Sequence, residues 1–243
     1  MSELAMRKNT LSLKWLYLAW FSLVFTTLVI GTIGAVVRGD PKPVVLKWGI
    51  GDFAIFAIGL YAIGMIVAVL LLYLLLKRNG LGWSEVGLKG KLSLAAMGYA
   101  LAGVTIAFFL YPLVERILGV AGISMYWGGT RTSHLNLKSA LDVILACAFA
   151  VLIGPVAEEI VYRGYILTMF AKARRSVLVA VLLSVLIFTS THVFFGPGML
   201  VYIFLWAFIP AFLYLKFNSL YPAILFHVLN NLIAYVLLPL VLR

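Results

Sequence analysis

Residues 154–167 read G-P-V-A-E-E-I-V-Y-R-G-Y-I-L and place two adjacent glutamates, Glu158 and Glu159, and one Arg163 in a strongly apolar part of the chain. Ionised side chains at membrane depth are costly, and they usually pair with one another or line a cavity. Glu159 and Arg163 are four residues apart with the acid first, which is the favourable order for a helical ion pair. Glu158 lies about 100° further round the helix, where this segment offers no arginine. The stretch therefore predicts one carboxylate held in an ion pair and one available for chemistry.

The composition of the whole chain indicates a membrane protein. Of its 243 residues, 64% are hydrophobic and 11% are charged, whereas ordinary soluble domains carry about 25% charged residues. The formal net charge of +11 is a feature of some nucleic-acid-binding proteins, but no basic cluster is interleaved with aromatic residues in a polar segment. The basic residues instead fall between apolar runs, as expected at anionic lipid headgroups. We expect a multi-pass protein of the cell membrane that contacts the lipid bilayer and no nucleic acid.

Seven apolar runs have the length expected of membrane-spanning helices. They cover about residues 13–37, 53–76, 92–118, 139–170, 177–195, 199–215 and 220–242. Gly154-Pro155 interrupts the fourth run. A helix that restarted there would give eight spans and would put Glu158 and Glu159 near a helix N-terminus, whose dipole favours negative charge. The runs predict an all-α transmembrane bundle, a single domain over residues 1–243 whose motif-bearing half is 139–242.

The loops between these runs also carry a charge asymmetry. When loops are assigned alternately to the two sides, more Lys and Arg residues fall on the side of the N-terminus. The positive-inside rule then predicts a cytoplasmic N-terminus. The single Cys147 allows no disulfide within the chain.

Two of the three histidines lie inside apolar runs. His192 follows Phe188 by four residues in F-T-S-T-H, and His227 precedes Asn231 by four in H-V-L-N-N, so each pair shares a helical face. A single buried histidine is often no more than a hydrogen-bonding link between helices. Two of them, together with the Glu-Glu-Arg set on a third span, predict one polar cluster that the bundle buries together. His134, in a loop, looks incidental.

These residue types suit hydrolysis of an amide inside the membrane. A free carboxylate such as Glu158, beside an imidazole, can hold and deprotonate a water. A second imidazole and an asparagine amide on another helix can donate to a developing oxyanion. No serine occurs in a G-x-S-x-G setting and no thiol accompanies either histidine, so nucleophilic catalysis is not expected.

The same residues also suit a metal. Two histidines and a glutamate can bind zinc and leave a position open for water, and the candidate ligands are Glu158, His192 and His227. The helical signature H-E-x-x-H is absent, so these ligands would converge from three helices. The sequence leaves carboxylate-activated and metal-activated water both open.

Three motifs resemble those of one protein family and occur in the same order. E-E-I-V-Y-R (158–163) matches E-E-x-x-x-R, F-T-S-T-H (188–192) matches F-x-x-x-H, and H-V-L-N-N (227–231) matches H-x-x-x-N. These are the motifs of the CAAX protease and bacteriocin-processing (CPBP) family of intramembrane proteases, which includes the type II CAAX prenyl endopeptidases. Members typically have about eight spans. The N-terminal third of the chain resembles the family only in its hydropathy.

The resemblance implies a role for each matched residue. Glu158 would activate the water with help from His192, and His227 and Asn231 would stabilise the oxyanion. The supporting residues would be Glu159, Arg163 and Phe188. The substrate would be a peptide or protein at the membrane, prenylated in the CAAX-processing branch, whereas other members are linked to bacteriocin maturation or self-immunity.

Two rival functions belong to other classes. The first is a non-catalytic membrane scaffold or bacteriocin immunity protein that binds a partner, but a scaffold would need none of the four polar residues of the candidate site. The second is a transporter with a carboxylate proton relay. Transporters often show internal repeats or paired broken helices, and neither pattern is apparent in this sequence.

Overall fold

A computed structural model describes residues 53–127, 135–173, 176–193 and 195–242, and these residues form helices and turns without any strand. The predicted all-α class is confirmed for this part of the chain. The first predicted span, the N-terminus and His134 lie outside the described residues. The cytoplasmic orientation of the N-terminus therefore stays a prediction.

Six helical segments follow one another along the described chain. They are α1 (Phe53–Arg78), α2 (Leu94–Val120), α3 (Ala140–Lys172), α4 (Val177–Ser190), α5 (Pro197–Phe217) and α6 (Tyr221–Val241). All except α4 are long and apolar enough to cross a membrane. These apolar helices make the chain an integral membrane protein.

The described residues thus contain five candidate spans, and the predicted number of seven or eight is not confirmed. The fifth apolar run differs most clearly from its prediction as a membrane-spanning helix, because its helix α4 has only 14 residues. At 1.5 Å per residue it extends about 21 Å, which is short of a hydrocarbon core of about 30 Å. His192 then lies in the turn that follows α4 and not inside a helix.

The predicted interruption of the fourth run at Gly154-Pro155 is wrong, because α3 continues through it as one helix of 33 residues. The bonding pattern widens to π-type over Cys147–Ile153, where the N–H of Gly154 donates to the carbonyl of Phe149. A π-type turn is a common way to absorb an irregularity within a helix, and Pro155 has no N–H to place. Glu158 and Glu159 therefore lie in the middle of a helix and not at its N-terminus.

Local signals explain where several helices begin. Ser139 and Asp142 form a reciprocal capping box at the start of α3. This agrees with the position of Asp142 at the start of the fourth apolar run and gives the buried carboxylate a structural role. The Ser93 and Ser176 side chains accept hydrogen bonds from backbone N–H groups in the first turns of α2 and α4.

Helix α3 is the central element, packed against α1, α4 and α6. Its second π-type segment, Ile160–Leu167, is buried throughout. Gly164 in that segment faces the Val86 carbonyl so closely that an added Cβ would lie 2.6 Å from the oxygen. Only glycine allows this approach between α3 and the short 3₁₀ turn Trp83–Val86.

Candidate active site

The polar residues of the predicted site come together in the interior of the bundle from three elements. Helix α3 carries the two glutamates and the arginine, the end of α4 carries the F-T-S-T-H motif, and α6 carries the H-V-L-N-N motif. The structure adds a fourth element, α1, which contributes Tyr61. The site therefore includes a helix that precedes all three motifs.

Glu159 and Arg163 form a fully buried ion pair. Arg163 Nη1 lies 3.1 Å from Glu159 Oε1, and both side chains are 0% exposed. The second guanidinium nitrogen donates to the Ala207 carbonyl on α5 at 2.9 Å, and the guanidinium carbon lies 4.6 Å from the centre of the Phe188 ring. Removing one member of such a pair would leave an uncompensated buried charge. The pair is thus a structural support for the site.

His227 lies between the two carboxylates. Its Nδ1 is 2.8 Å from Glu159 Oε1 and its Nε2 is 3.5 Å from Glu158 Oε2. An ionised carboxylate only accepts hydrogen bonds, so Nδ1 carries a proton and donates it to Glu159. This bond fixes the orientation of the ring, and as a result Nε2 faces Glu158.

Glu158 is 5% exposed and has no arginine partner in its own helical turn. Its Oε1 accepts a hydrogen bond from the Tyr61 hydroxyl at 2.7 Å, and its Oε2 faces His227. The sequence predicted an available carboxylate. The structure places it between the Tyr61 hydroxyl, which donates to it, and the Nε2 edge of the His227 ring.

His192 is half-buried, and its contact with a backbone carbonyl defines which ring nitrogen carries the proton. Its Nδ1 lies 2.9 Å from the backbone carbonyl of Phe188, and a carbonyl oxygen can only accept. The proton of the neutral ring is therefore on Nδ1, and Nε2 presents a lone pair. Such a lone pair can accept a hydrogen bond from a water.

The turn that carries His192 is anchored by a segment from the connection between α2 and α3. The indole nitrogen of Trp127 donates to the Val193 carbonyl at 2.8 Å, and the Gly198 N–H donates to the Ser124 carbonyl at 3.1 Å. Gly196 has a φ of +135°, and a Cβ there would lie 2.6 Å from the backbone nitrogen of Trp127. This close backbone contact sets the position of the His192 turn.

Asn231 is hydrogen-bonded to α3, the helix that carries Glu158. Its amide nitrogen donates to the Ala150 carbonyl in α3 at 2.9 Å, and its amide oxygen accepts from Asn230 at 3.2 Å. A primary amide has two N–H donors, so one bond to Ala150 orients the group and leaves the second donor for another acceptor.

Phe188 forms the aromatic centre of the site. Its ring centre lies 4.6 Å from that of His192, 5.1 Å from that of Tyr162 and 6.3 Å from that of His227. Trp206 lies 4.7 Å from His227, centre to centre. The Trp206 indole N–H is buried and has no hydrogen-bond partner among the residues described.

The three candidate metal ligands do not form a ligand set in this geometry. Among the described residues, no group of three His, Cys, Asp or Glu side chains is arranged to hold a metal ion. Both ring nitrogens of His227 face carboxylates, and Nδ1 of His192 is occupied by a carbonyl. The zinc alternative, which the sequence left open, is a matter for chelation in solution.

Sequence reasoning missed Tyr61, Tyr162 and Trp206. Tyr61 lies 97 residues before its carboxylate partner and stands in an apolar helix, where a lone tyrosine carries no local signal. Tyr162 occupies a variable position of the E-E-x-x-x-R motif. A tyrosine in such an apolar segment is readily interpreted as a residue of the hydrophobic core.

Comparison with known proteins adds one match. Residues 140–233 match the family model described as type II CAAX prenyl endopeptidase Rce1-like. This range contains every motif residue named above and excludes Tyr61. The predicted family resemblance is confirmed for this part of the chain. No curated protein and no solved structure matches the chain.

Proposed function

We propose that this chain is a member of the type II CAAX prenyl endopeptidase Rce1-like family, whose model matches residues 140–233, and that it is an intramembrane endopeptidase that hydrolyses a peptide bond with a water activated by Glu158. The family implies a protease that acts on a peptide or protein at the membrane. The roles of individual residues and the identity of the substrate are our proposal.

The observation that carries the proposal is the difference between the two adjacent glutamates. Glu159 is neutralised by Arg163 and fully buried, whereas Glu158 is held by the Tyr61 hydroxyl and faces His227 across 3.5 Å. A carboxylate held by such partners keeps a lone pair with which to accept a proton from water. Glu158 is therefore the base, and Glu159 is its support.

The proposed reaction begins with a water between Glu158 and the free Nε2 lone pair of His192. The water oxygen attacks the scissile carbonyl carbon while its proton passes to Glu158. The electrons of the carbonyl double bond move to oxygen and form an oxyanion. When this intermediate collapses, the carbon–nitrogen bond breaks and the leaving amine takes the proton from Glu158. The products are a carboxylic acid and an amine.

The oxyanion would be stabilised by donors on α6. His227 would donate from Nε2, whose direction is fixed by the Nδ1 bond to Glu159, and this requires a hydrogen on both ring nitrogens. Asn231 presents its second amide hydrogen, oriented by the first bond to Ala150. Removing one such donor typically lowers kcat by about 10²–10³-fold.

We propose a prenylated CAAX peptide as the substrate class, on the strength of the family description. The family resemblance also includes members linked to bacteriocin self-immunity, for which partner binding without cleavage is the competing function. The arrangement of base, imidazole and oxyanion donors favours cleavage, because partner binding requires none of these groups.

Peptide cleavage by the purified full-length protein in lipid nanodiscs tests the proposal. The panel pairs farnesylated CAAX peptides with the same sequences unmodified, and mass spectrometry identifies the products. We expect the farnesylated peptides to lose their last three residues. Cleavage of the unmodified peptides alone would retain the protease and overturn the substrate class. No cleavage of any peptide by well-folded protein would favour the partner-binding function.

A further inference from the structure

Trp206 belongs to a closed set of contacts that joins α5, α3 and α6 around His227. The Ala207 carbonyl on α5 accepts a hydrogen bond from Arg163 at 2.9 Å. Arg163 pairs with Glu159 at 3.1 Å, and Glu159 accepts the Nδ1 proton of His227 at 2.8 Å. The centre of the His227 ring lies 4.7 Å from that of Trp206, the residue next to Ala207. The contacts therefore return to the place on α5 where they began.

We propose that Trp206 is a positioning residue that fixes the plane of the His227 ring and thereby the direction of its Nε2. The inference rests on the proposed function, in which Nε2 of His227 faces Glu158 and donates to the oxyanion. It adds helix α5 to the elements that shape the site, although α5 carries none of the three motifs.

One hydrogen bond does not define the plane of an imidazole. The Nδ1 bond to Glu159 sets the direction of one N–H, but the ring can still turn about that direction. Packing against other aromatic rings limits this rotation, because aromatic pairs favour a few arrangements. The plane of His227 lies at 69° to that of Trp206 and at 79° to that of Phe188. Trp206 and Phe188 are themselves stacked, with planes 18° apart, so the imidazole is held nearly perpendicular to a pair of rings.

The position of Trp206 is set by an irregularity in α5. The regular helical bonding is interrupted at Ala207, between Trp206 and Phe208. Pro210 has no N–H to donate to the carbonyl of Trp206, four residues before it. Trp206 is 4% exposed and also packs against Phe226, with ring centres 5.0 Å apart. Rings from α4 and α6 thus hold the indole in place.

The indole N–H of Trp206 makes no hydrogen bond within the part of the chain that the structure describes. What joins Trp206 to the site is the packing of its ring. A phenyl ring at position 206 can keep most of this contact, whereas a leucine is apolar but has no ring plane. The two substitutions therefore separate a positioning role of the ring from a role of the N–H.

Trp206→Phe and Trp206→Leu test the proposal. Both variants are assayed in nanodiscs with whichever peptide of the panel the wild-type protein cleaves. The matched control is Trp83→Leu, which removes an indole that stacks on Tyr73 with ring centres 5.9 Å apart, in the turn Trp83–Val86.

We expect Trp206→Leu to lower kcat by about 10–100-fold, since a misplacement of about 1 Å can cost about 100-fold in rate. KM should stay within about twofold of the wild-type value, because the substrate is still bound. Trp206→Phe should restore most of the lost kcat. A phenylalanine variant as slow as the leucine variant, or a leucine variant as fast as the Trp83→Leu control, would overturn the proposal.

A second readout needs no activity and keeps the proposal testable if no peptide is cleaved. The protein is labelled with ¹⁵N-histidine, and the ring resonances of His227 are assigned by their loss in His227→Asn. The wild type and Trp206→Phe should each show one narrow pair, whereas Trp206→Leu should broaden or split the pair as the ring begins to rotate. A narrow, unsplit pair in Trp206→Leu would overturn the positioning role, while the proposed hydrolysis would still stand or fall on cleavage alone.

Discussion

His227 donates its Nδ1 proton to Glu159 across 2.8 Å, while its Nε2 lies 3.5 Å from Glu158. The two adjacent glutamates therefore contact opposite sides of one imidazole. Glu159 sets the orientation of the ring, and Glu158 faces the nitrogen that this orientation presents to the site. The two acids are adjacent in sequence but differ in their partners: Glu159 is ion-paired with Arg163, and we propose Glu158 as the reactive group.

Glu159→Gln should destabilise the protein more than it changes the chemistry. The substitution leaves the fully buried Arg163 without its counter-charge, and breaking a buried ion pair in this way costs about 3–5 kcal/mol. The thermal midpoint of the solubilised protein is the measurement, with Glu85→Gln as the matched control. Glu85 pairs with Lys172 at 2.9 Å, but both side chains are 40% or more exposed. A surface pair of this kind contributes about 0–1 kcal/mol. Equal midpoints for the two variants would contradict the supporting role of Glu159.

His192→Asn should show whether the His192 side chain is needed for stability or for catalysis. The asparagine amide can still donate to the Phe188 carbonyl, which now accepts from Nδ1 at 2.9 Å, but it removes the Nε2 lone pair. We expect a loss in kcat of about 10²–10⁴-fold, the range for a proton-transfer group. The thermal midpoint should stay close to that of the wild type. If midpoint and kcat fell together, His192 would be a structural residue only.

Chelation should leave cleavage unchanged. His227 has a carboxylate on each ring nitrogen, and the described residues offer no group of three side chains placed to hold a metal. Wild-type protein is dialysed against a chelator, its metal content is measured, and its cleavage rate is compared before and after zinc is added back. A rate that falls with the metal content and returns with zinc would show that the ligands rearrange, and it would replace the carboxylate mechanism.

Much of the candidate site could be predicted from local spacing. The pairing of Glu159 with Arg163 follows from the helical repeat. His192 and His227 stood out because ionisable groups are rare in apolar runs. These features depend on residues within one turn of each other.

The remaining features depend on contacts that spacing does not encode. The bond from Tyr61 to Glu158 joins residues 97 positions apart, and its donor looks like any aromatic residue of a membrane helix. Proline at 155 suggested an interruption, but the π-type bonding of Cys147–Ile153 lets α3 continue. Helix α4 ends at Ser190 although the apolar run goes on, and main-chain bonds tie the residues that follow, 195–199, to residues 124–127.

The rate of peptide cleavage in nanodiscs by Glu158→Gln, beside Glu85→Gln, tests whether Glu158 activates the water. Both variants exchange a carboxylate for an amide of the same shape, and only one of them removes the proposed base. We predict that Glu158→Gln stays folded and loses cleavage by about 10²–10⁴-fold, while Glu85→Gln cleaves like the wild type. Cleavage by Glu158→Gln at a rate near that of the wild type would contradict it and would place water activation elsewhere in the molecule.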